Sequence, residues 1–193
     1  MSKAYQSQNI FFAFGVLCTL TIYDGNRFYA LGRAKERVKE IDRKSGSVQP
    51  IAMGYAAQEI KRIFKQEGVT QAVIKLGDTV INMGRTRRLG IRNPFLESSG
   101  NFAFLDIGEG TMVTLYQDKL QDTAFNRRSN LASVTLIGTD AVQLSKLCYT
   151  VIGYSLEDAY AMLNDTEYEA IFVTKDEQVF TTYGLSREQK RAA

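Results

Sequence analysis

Histidine and tryptophan do not occur among the 193 residues, and proline and cysteine occur twice each. The missing histidine removes the side chain that titrates most readily near neutral pH. With it go serine-protease-type triads and histidine-ligated zinc sites. Cys18 and Cys148 have neither metal-binding nor redox spacing and are expected to be reduced and buried. Strong charge of either sign is lacking too: 24 basic and 21 acidic residues leave +3, with a pI near 8.8. That is too weak a bias to argue for nucleic acid without a clustered patch. The apolar run near the start falls short of the roughly 18 residues a spanning helix needs. The residues before Cys18, Gly15-Val16-Leu17, are not the small ones a signal-peptide cleavage site wants. The chain therefore reads as soluble and cytoplasmic. What is present is ordinary for a folded protein: 45% hydrophobic and 23% charged residues. The expectation is one domain over 1–193, with its core at about 12–185 and a charged tail at 186–193.

Periodicity sets the order of elements. Residues Asn9 to Tyr23 alternate, with Val16, Cys18, Leu20 and Ile22 on one side, and read as a strand. Asp24-Gly25-Asn26 is a turn whose Asn26 is suited to cap a helix reaching about Lys44. Phe28, Leu31, Ala34, Val38 and Ile41 form the apolar stripe of that helix. Pro50 opens a second helix with Tyr55, Ala56, Ile60, Ile63 and Phe64 inward and Gly68 at its end. Short strands follow at 72–76, 80–83, 89–92, 102–107, 112–116 and 132–137, with 119–130 as a polar loop. Thr139 is expected to cap a helix running to about Tyr154, and Ser155 to Asp158 form a capping box for another. A closing hairpin surrounds Lys175-Asp-Glu177. Strands interleaved with about four helices predict an α+β fold with a mixed, largely antiparallel sheet.

Several stretches resemble the ApbE-type FAD:protein FMN transferases. Gln49-Pro-Ile-Ala-Met-Gly-Tyr-Ala-Ala57 is similar to that family's G-G-I-A-K-G-Y-A. Ala72-Val-Ile-Lys-Leu-Gly-Asp-Thr-Val-Ile-Asn-Met-Gly84 is similar to A-L-V-N-L-G-G-D-I-x-x-L-G. Leu89 to Pro94, Leu131 to Ile137, Ser155 to Leu163 and, upstream, Phe14 to Tyr23 match further family segments in the same order. The resemblance implies an ApbE-like fold. It also implies an activity in which FAD and Mg²⁺ are bound, the pyrophosphate is cleaved, and FMN moves to a threonine of a partner flavoprotein. Metal and backbone amides would stabilise phosphate charge, and glycines would let backbone approach it closely.

Residue by residue, the parts that do this chemistry are altered. Ser145 and Tyr149 stand at the positions of the metal-ligating aspartate and threonine, with Lys146 adding the wrong sign for a cation. Met53 stands at the family's lysine. Thr114-Leu-Tyr-Gln117 replaces T-S-G-D, and Ala124 to Ser129 replaces the histidine-bearing segment. Ser45-Gly-Ser-Val48 stands for the long segment that helps cover the flavin. The retained candidates for cofactor binding are Ala52, Gly54, Tyr55, Gly77, Asp78 and Thr79; no residue is assigned to metal or to catalysis. Each has a packing alternative: small residues at a helix start fit against a sheet, and Gly77-Asp78 composes a turn.

The functional expectation is a catalytically degenerate ApbE-like scaffold that binds a partner or a nucleotide, with a flavoprotein, a full-length family member or a second copy as partner. FAD and Mg²⁺ enter only if the family activity persists. One alternative is an active Mg-dependent transferase recruiting ligands from another subunit, with Asp78 or Asp140 replacing the lost carboxylate. A weaker one is a nucleic-acid module built on the arginines at 85, 87, 88 and 92 and the pair Arg127-Arg128, which more simply form a solvated rim.

Overall fold

The structure is a computed structural model and describes residues 6–46, 49–95, 100–120 and 129–182. The pair Arg127-Arg128, most of the 119–130 loop and the tail at 186–193 lie outside the described residues.

The run from Asn9 to Tyr23 is two strands, not one. Strands β1 (Ser7–Ala13) and β2 (Val16–Ile22) form a hairpin in which Ala13 faces Val16. The turn between them holds Phe14 and Gly15 at φ 54° and 69°, the all-positive geometry that suits the twist of a tight hairpin. Phe14 carries no polar turn signal because its side chain is buried in the core.

Helix α1 (Phe28–Lys44) follows with Arg27 as its cap and no side-chain capping bond. The expected cap Asn26 is passed over. Ser7 Oγ of β1 accepts from Arg27 N (3.2 Å) and donates to Gly25 O (2.9 Å), so a neighbouring strand satisfies the turn. Leu31, Ala34, Val38 and Ile41 are buried as the stripe predicts, whereas Phe28, in the first turn, is exposed. Helix α2 (Gln49–Gln66) ends through Gly68, whose N–H donates to Lys65 O, while Val69 N donates to Phe64 O. That bond pair closes a helix on a glycine and returns the chain to the core.

The remaining elements are β3 (Ala72–Leu76), β4 (Thr79–Met83), β5 (Arg87–Arg92), β6 (Asn101–Ile107), β7 (Gly110–Tyr116), β8 (Leu131–Gly138), α3 (Ala141–Val151), α4 (Leu156–Leu163), β9 (Glu169–Thr174) and β10 (Val179–Thr181). An eight-stranded sheet runs in the order β1-β2-β3-β4-β7-β8-β9-β10, and β5-β6 forms a separate pair. Every pairing among the described strands is antiparallel. Asp140, not Thr139, caps α3: its Oδ1 accepts from Val142 N (2.8 Å) and Gln143 N (3.1 Å). A carboxylate there also meets the positive end of the helix. Ser155 caps α4 as expected, accepting from Asp158 N.

Alternation along the strands divides the core between two faces. On one face, Leu20, Ile22, Ile74, Leu76 and Ile81 meet Leu31, Val38, Ile60 and Phe64 of α1 and α2. Farther along it, Leu115, Val134, Leu136 and Phe172 meet Leu144, Cys148 and Val151 of α3 and Leu163 of α4. On the other face, Val80, Met112 and Ile171 are covered by Ile91, Leu105 and Ile107 of the β5-β6 hairpin. Strands β4 and β7 are thus buried on both sides along their whole length. Buried Asn82 fastens the hairpin to the sheet, its Nδ2 donating to Arg85 O, Ile107 O and Gly108 O at 2.8–2.9 Å. Among the described residues, no helix is long and apolar enough to cross a membrane.

Candidate functional site

The six candidate residues fall into two groups. Gly77 and Asp78 are the two-residue turn between β3 and β4, where Leu76 faces Thr79. Gly77 has φ +57° and donates its N–H to Leu17 O (3.3 Å). A Cβ there would stand 3.1 Å from Val16, so both the turn and the close approach of β2 call for glycine. Asp78 O accepts from Thr114 N (3.1 Å), and Thr79 is buried opposite Val113 of β7. The turn borders a polar edge of the sheet. Tyr116 OH donates to Arg92 O (3.3 Å), and the Arg92 guanidinium lies 4.3 Å from the Tyr116 ring centre. Burial, reinforced by the Asp78 charge, holds the Tyr116 hydroxyl well above the ordinary tyrosine range.

Ala52, Gly54 and Tyr55 do not join that edge as one cradle. Ala52 is half-buried and packs with Met53 against the α1/α2 core. Tyr55 is exposed, contrary to its expected inward direction, and accepts from Arg37 Nη2 (3.4 Å). An amphipathic ring with a polar tip satisfies both the helix surface and the neighbouring arginine. Gly54 faces α3. A Cβ on it would lie 2.5 Å from Ala141 O and 2.9 Å from Ser145 Cβ, with Ser145 Oγ closer still. The two helices therefore cross at their backbones. Farther along α2, burial, followed by the neighbouring Lys65, lowers the Lys61 pKa, while Glu109 and then Asp140 at the start of α3 oppose that shift. Gly54 near Ser145 and Lys61 near Asp140 show that α2 runs back along α3.

This crossing tests the metal that the resemblance implies. Ser145, aligned with the ligand aspartate, is fully buried, and its Oγ has no hydrogen-bond partner. It is pressed onto Gly54, where a hard cation would need an open set of about six oxygen ligands including carboxylate. Among the described residues no group of three acidic, cysteine or histidine side chains is gathered to hold a metal. Magnesium does not fit these residues. Packing accounts for both glycines, since a Cβ on Gly54 would meet α3 and one on Gly77 would meet Val16.

Two site features escaped sequence reasoning. Gln117, at the position of the family's T-S-G-D aspartate, is buried with an unpartnered Nε2, which the replacement of that motif does not by itself reveal. The arginines of β5 are not a bare basic rim. Arg87 lies 3.6 Å from the Tyr23 ring centre, and Arg88 lies 5.2 Å from that of Phe104, as Arg92 does over Tyr116. Aromatic partners drawn from other elements are not visible from charge clustering alone.

An antiparallel sheet carrying four helices on one face and a strand hairpin on the other defines an α+β protein of the ApbE type. The fold is shared with the flavin transferase ApbE of Vibrio cholerae, at a TM-score of 0.77 and 10% identity over 95% of this chain and 99% of that one. It is shared too with the ApbE protein of Thermotoga maritima (TM-score 0.78, 10% identity, 94% and 98% covered). The flavinyl transferase ApbE of Pseudomonas stutzeri has it as well (TM-score 0.75, 12% identity, 97% and 98% covered). The ApbE family model matches residues 46–117, which contain all six candidates and Gln117. An FAD:protein FMN transferase of Klebsiella pneumoniae (strain 342) is 27% identical over 144 residues, covering 67% of this chain and 45% of that protein. The chain thus matches less than half the length of that curated relative. It is similar to the ApbE family over residues 46–117 and shares its fold.

Proposed function

We propose that this chain is a catalytically degenerate ApbE-like protein that serves as a binding scaffold, engaging a partner protein or a nucleotide without metal-dependent transfer. The observation that carries this reading is the contact between Gly54 and Ser145. The residue standing at the ligand carboxylate is an uncharged hydroxyl, wholly buried, with helix α2 packed against it. Phosphoryl transfer gains its rate from charge stabilisation by metal and positioned donors, and such a crossing supplies neither. The relative from Klebsiella pneumoniae is named for acting on a protein, which supports a flavoprotein, or another family member, as the class of partner.

Calorimetric and thermal-shift titration with FAD plus Mg²⁺ tests the reading directly. The expected result is no metal-dependent FAD binding. Incubation with FAD, Mg²⁺ and a threonine-bearing flavoprotein domain is expected to give no covalent mass gain on the acceptor. Saturable, Mg-dependent FAD binding in the micromolar range, or a mass gain matching FMN, would overturn the proposal.

A further inference from the structure

Strand β1 ends the eight-stranded sheet, and three observations bear on what its outer edge does. The first is composition: Ser7-Gln-Asn-Ile-Phe-Phe-Ala13 contains no charge and no proline, and its pairing with β2 runs without a bulge. These are the devices that usually keep a sheet edge from pairing with another chain. The opposite edge, β10, is only three residues long.

The second is the direction of the backbone. A two-residue turn makes Ala13–Val16 a hydrogen-bonded pair, and bonded and unbonded pairs then alternate along the hairpin. Ser7, Asn9, Phe11 and Ala13 thus spend their N–H and C=O groups on β2. Gln8, Ile10 and Phe12 present theirs outward. The third is the side chains at those positions. Ile10 and Phe12 are 55% and 74% exposed, and Leu17, opposite Phe12 on β2, is 50% exposed. They share the sheet face that the helices do not cover.

We infer that β1 is the pairing edge of a two-fold homodimer, with Ile10 facing Ile10 of the second copy and Gln8 facing Phe12. The second copy is the occupant this pattern selects. An antiparallel two-fold through Ile10 matches all three outward residues at once, each exchanging both backbone bonds, and it needs no charge complementarity. It also brings the Ile10 side chains together and extends the Phe12–Leu17 strip across both sheets. This inference stands apart from the scaffold reading. A monomeric chain leaves that reading intact, and Mg-dependent FAD binding leaves the dimer intact.

The test is light scattering and sedimentation of the whole chain over roughly 1–100 μM, a range in which modest interfaces are populated. The expected mass is twice 21.7 kDa. Ile10→Lys places a charge on an exposed position, so its circular dichroism should be unchanged while the dimer dissociation constant rises at least tenfold. Register is read by cross-linking. Paired Ile10 Cα atoms would lie about 5.5 Å apart, within disulfide reach. Two Phe12 Cα atoms would be about 14 Å apart, beyond it. Oxidised Ile10→Cys should therefore give a covalent dimer and Phe12→Cys should not, against a background of two buried native thiols. A wild-type monomer across the range would overturn the proposal. So would a dimer that survives Ile10→Lys, or cross-linking of Phe12→Cys as ready as that of Ile10→Cys.

Discussion

Replacing Gly54 by alanine sets two effects of opposite sign against each other. In a free helix the change gains about 1 kcal/mol, because alanine is the better helix former. Here the added methyl would stand 2.5 Å from the Ala141 carbonyl oxygen and 2.9 Å from Ser145 Cβ. The first of these is backbone, so relief requires α2 and α3 to part. Overpacking of this kind costs roughly 1–3 kcal/mol, and a backbone obstacle belongs at the upper end. The net expectation is a loss of about 1–2 kcal/mol, or roughly 2–8 °C in melting temperature for a chain of this size. Urea unfolding with an unchanged m-value checks it. The companion variant Ser145→Ala removes a buried hydroxyl that has no partner and is expected to be neutral or to stabilise by up to about 1 kcal/mol. In that background Gly54→Ala should cost less, though not nothing, because Ala141 O remains. A Gly54→Ala protein at least as stable as the parent, or an equal cost in both backgrounds, would refute the close crossing and with it the argument against a metal.

Asn82→Ala leaves the carbonyls of Arg85, Ile107 and Gly108 without their shared donor. It is expected to cost roughly 2–3 kcal/mol in urea unfolding and to speed amide exchange in β5 and β6. The Cys18 thiol is pushed up to about 11, chiefly by burial, and burial raises Cys148 as well. Neither should react with a thiol reagent at mildly alkaline pH until the chain is unfolded, when both should. Although burial pushes the Asp24 pKa upward, the bonds from Thr70 N (2.6 Å), Thr70 Oγ (2.7 Å) and Gln71 N (3.3 Å) outweigh it and leave the pKa lowered. Its contribution is therefore fully present above the ordinary aspartate range and is lost as pH falls through the lower folded value. Asp24→Asn should cost about 1 kcal/mol at neutral pH, a small figure because the site is partly solvated, and the difference from the parent should shrink below about pH 4.

How much of this was legible depends on which distances decide each feature. Helix stripes and strand alternation are local, so Leu31, Val38, Ile60 and Phe64 are inside as their spacing implies. Local signals failed where a long-range partner did the local work. Ser7 serves the start of α1 in place of Asn26. Phe14 makes a turn without turn chemistry because the core receives its ring. Tyr55 leaves the apolar stripe for Arg37 on α1. The folding of β5-β6 over the back of the sheet is also non-local. Strand β4 reads Thr-Val-Ile-Asn-Met, and only the hairpin's carbonyls explain a fully buried asparagine in it.

For the candidate site the divide is the same. Sequence could show that a carboxylate is missing at Ser145 and that Gly54 is retained, but not that the two touch. That contact changes the meaning of both. A glycine kept for a phosphate would face open space, and a serine left behind by a lost ligand would border a vacant pocket. Instead each occupies the room the other lacks, so the α2–α3 crossing is supported by packing alone. A carboxylate returned to position 145 would be buried against a helix backbone with no cation partner, a cost of several kcal/mol. Holding a cation with a carboxylate at position 145 would therefore require moving α2 as well as changing one side chain. Ser145→Asp should accordingly melt well below the parent, with no recovery on adding Mg²⁺. A variant that Mg²⁺ restores to the parent's stability would show that the crossing can open around a metal after all.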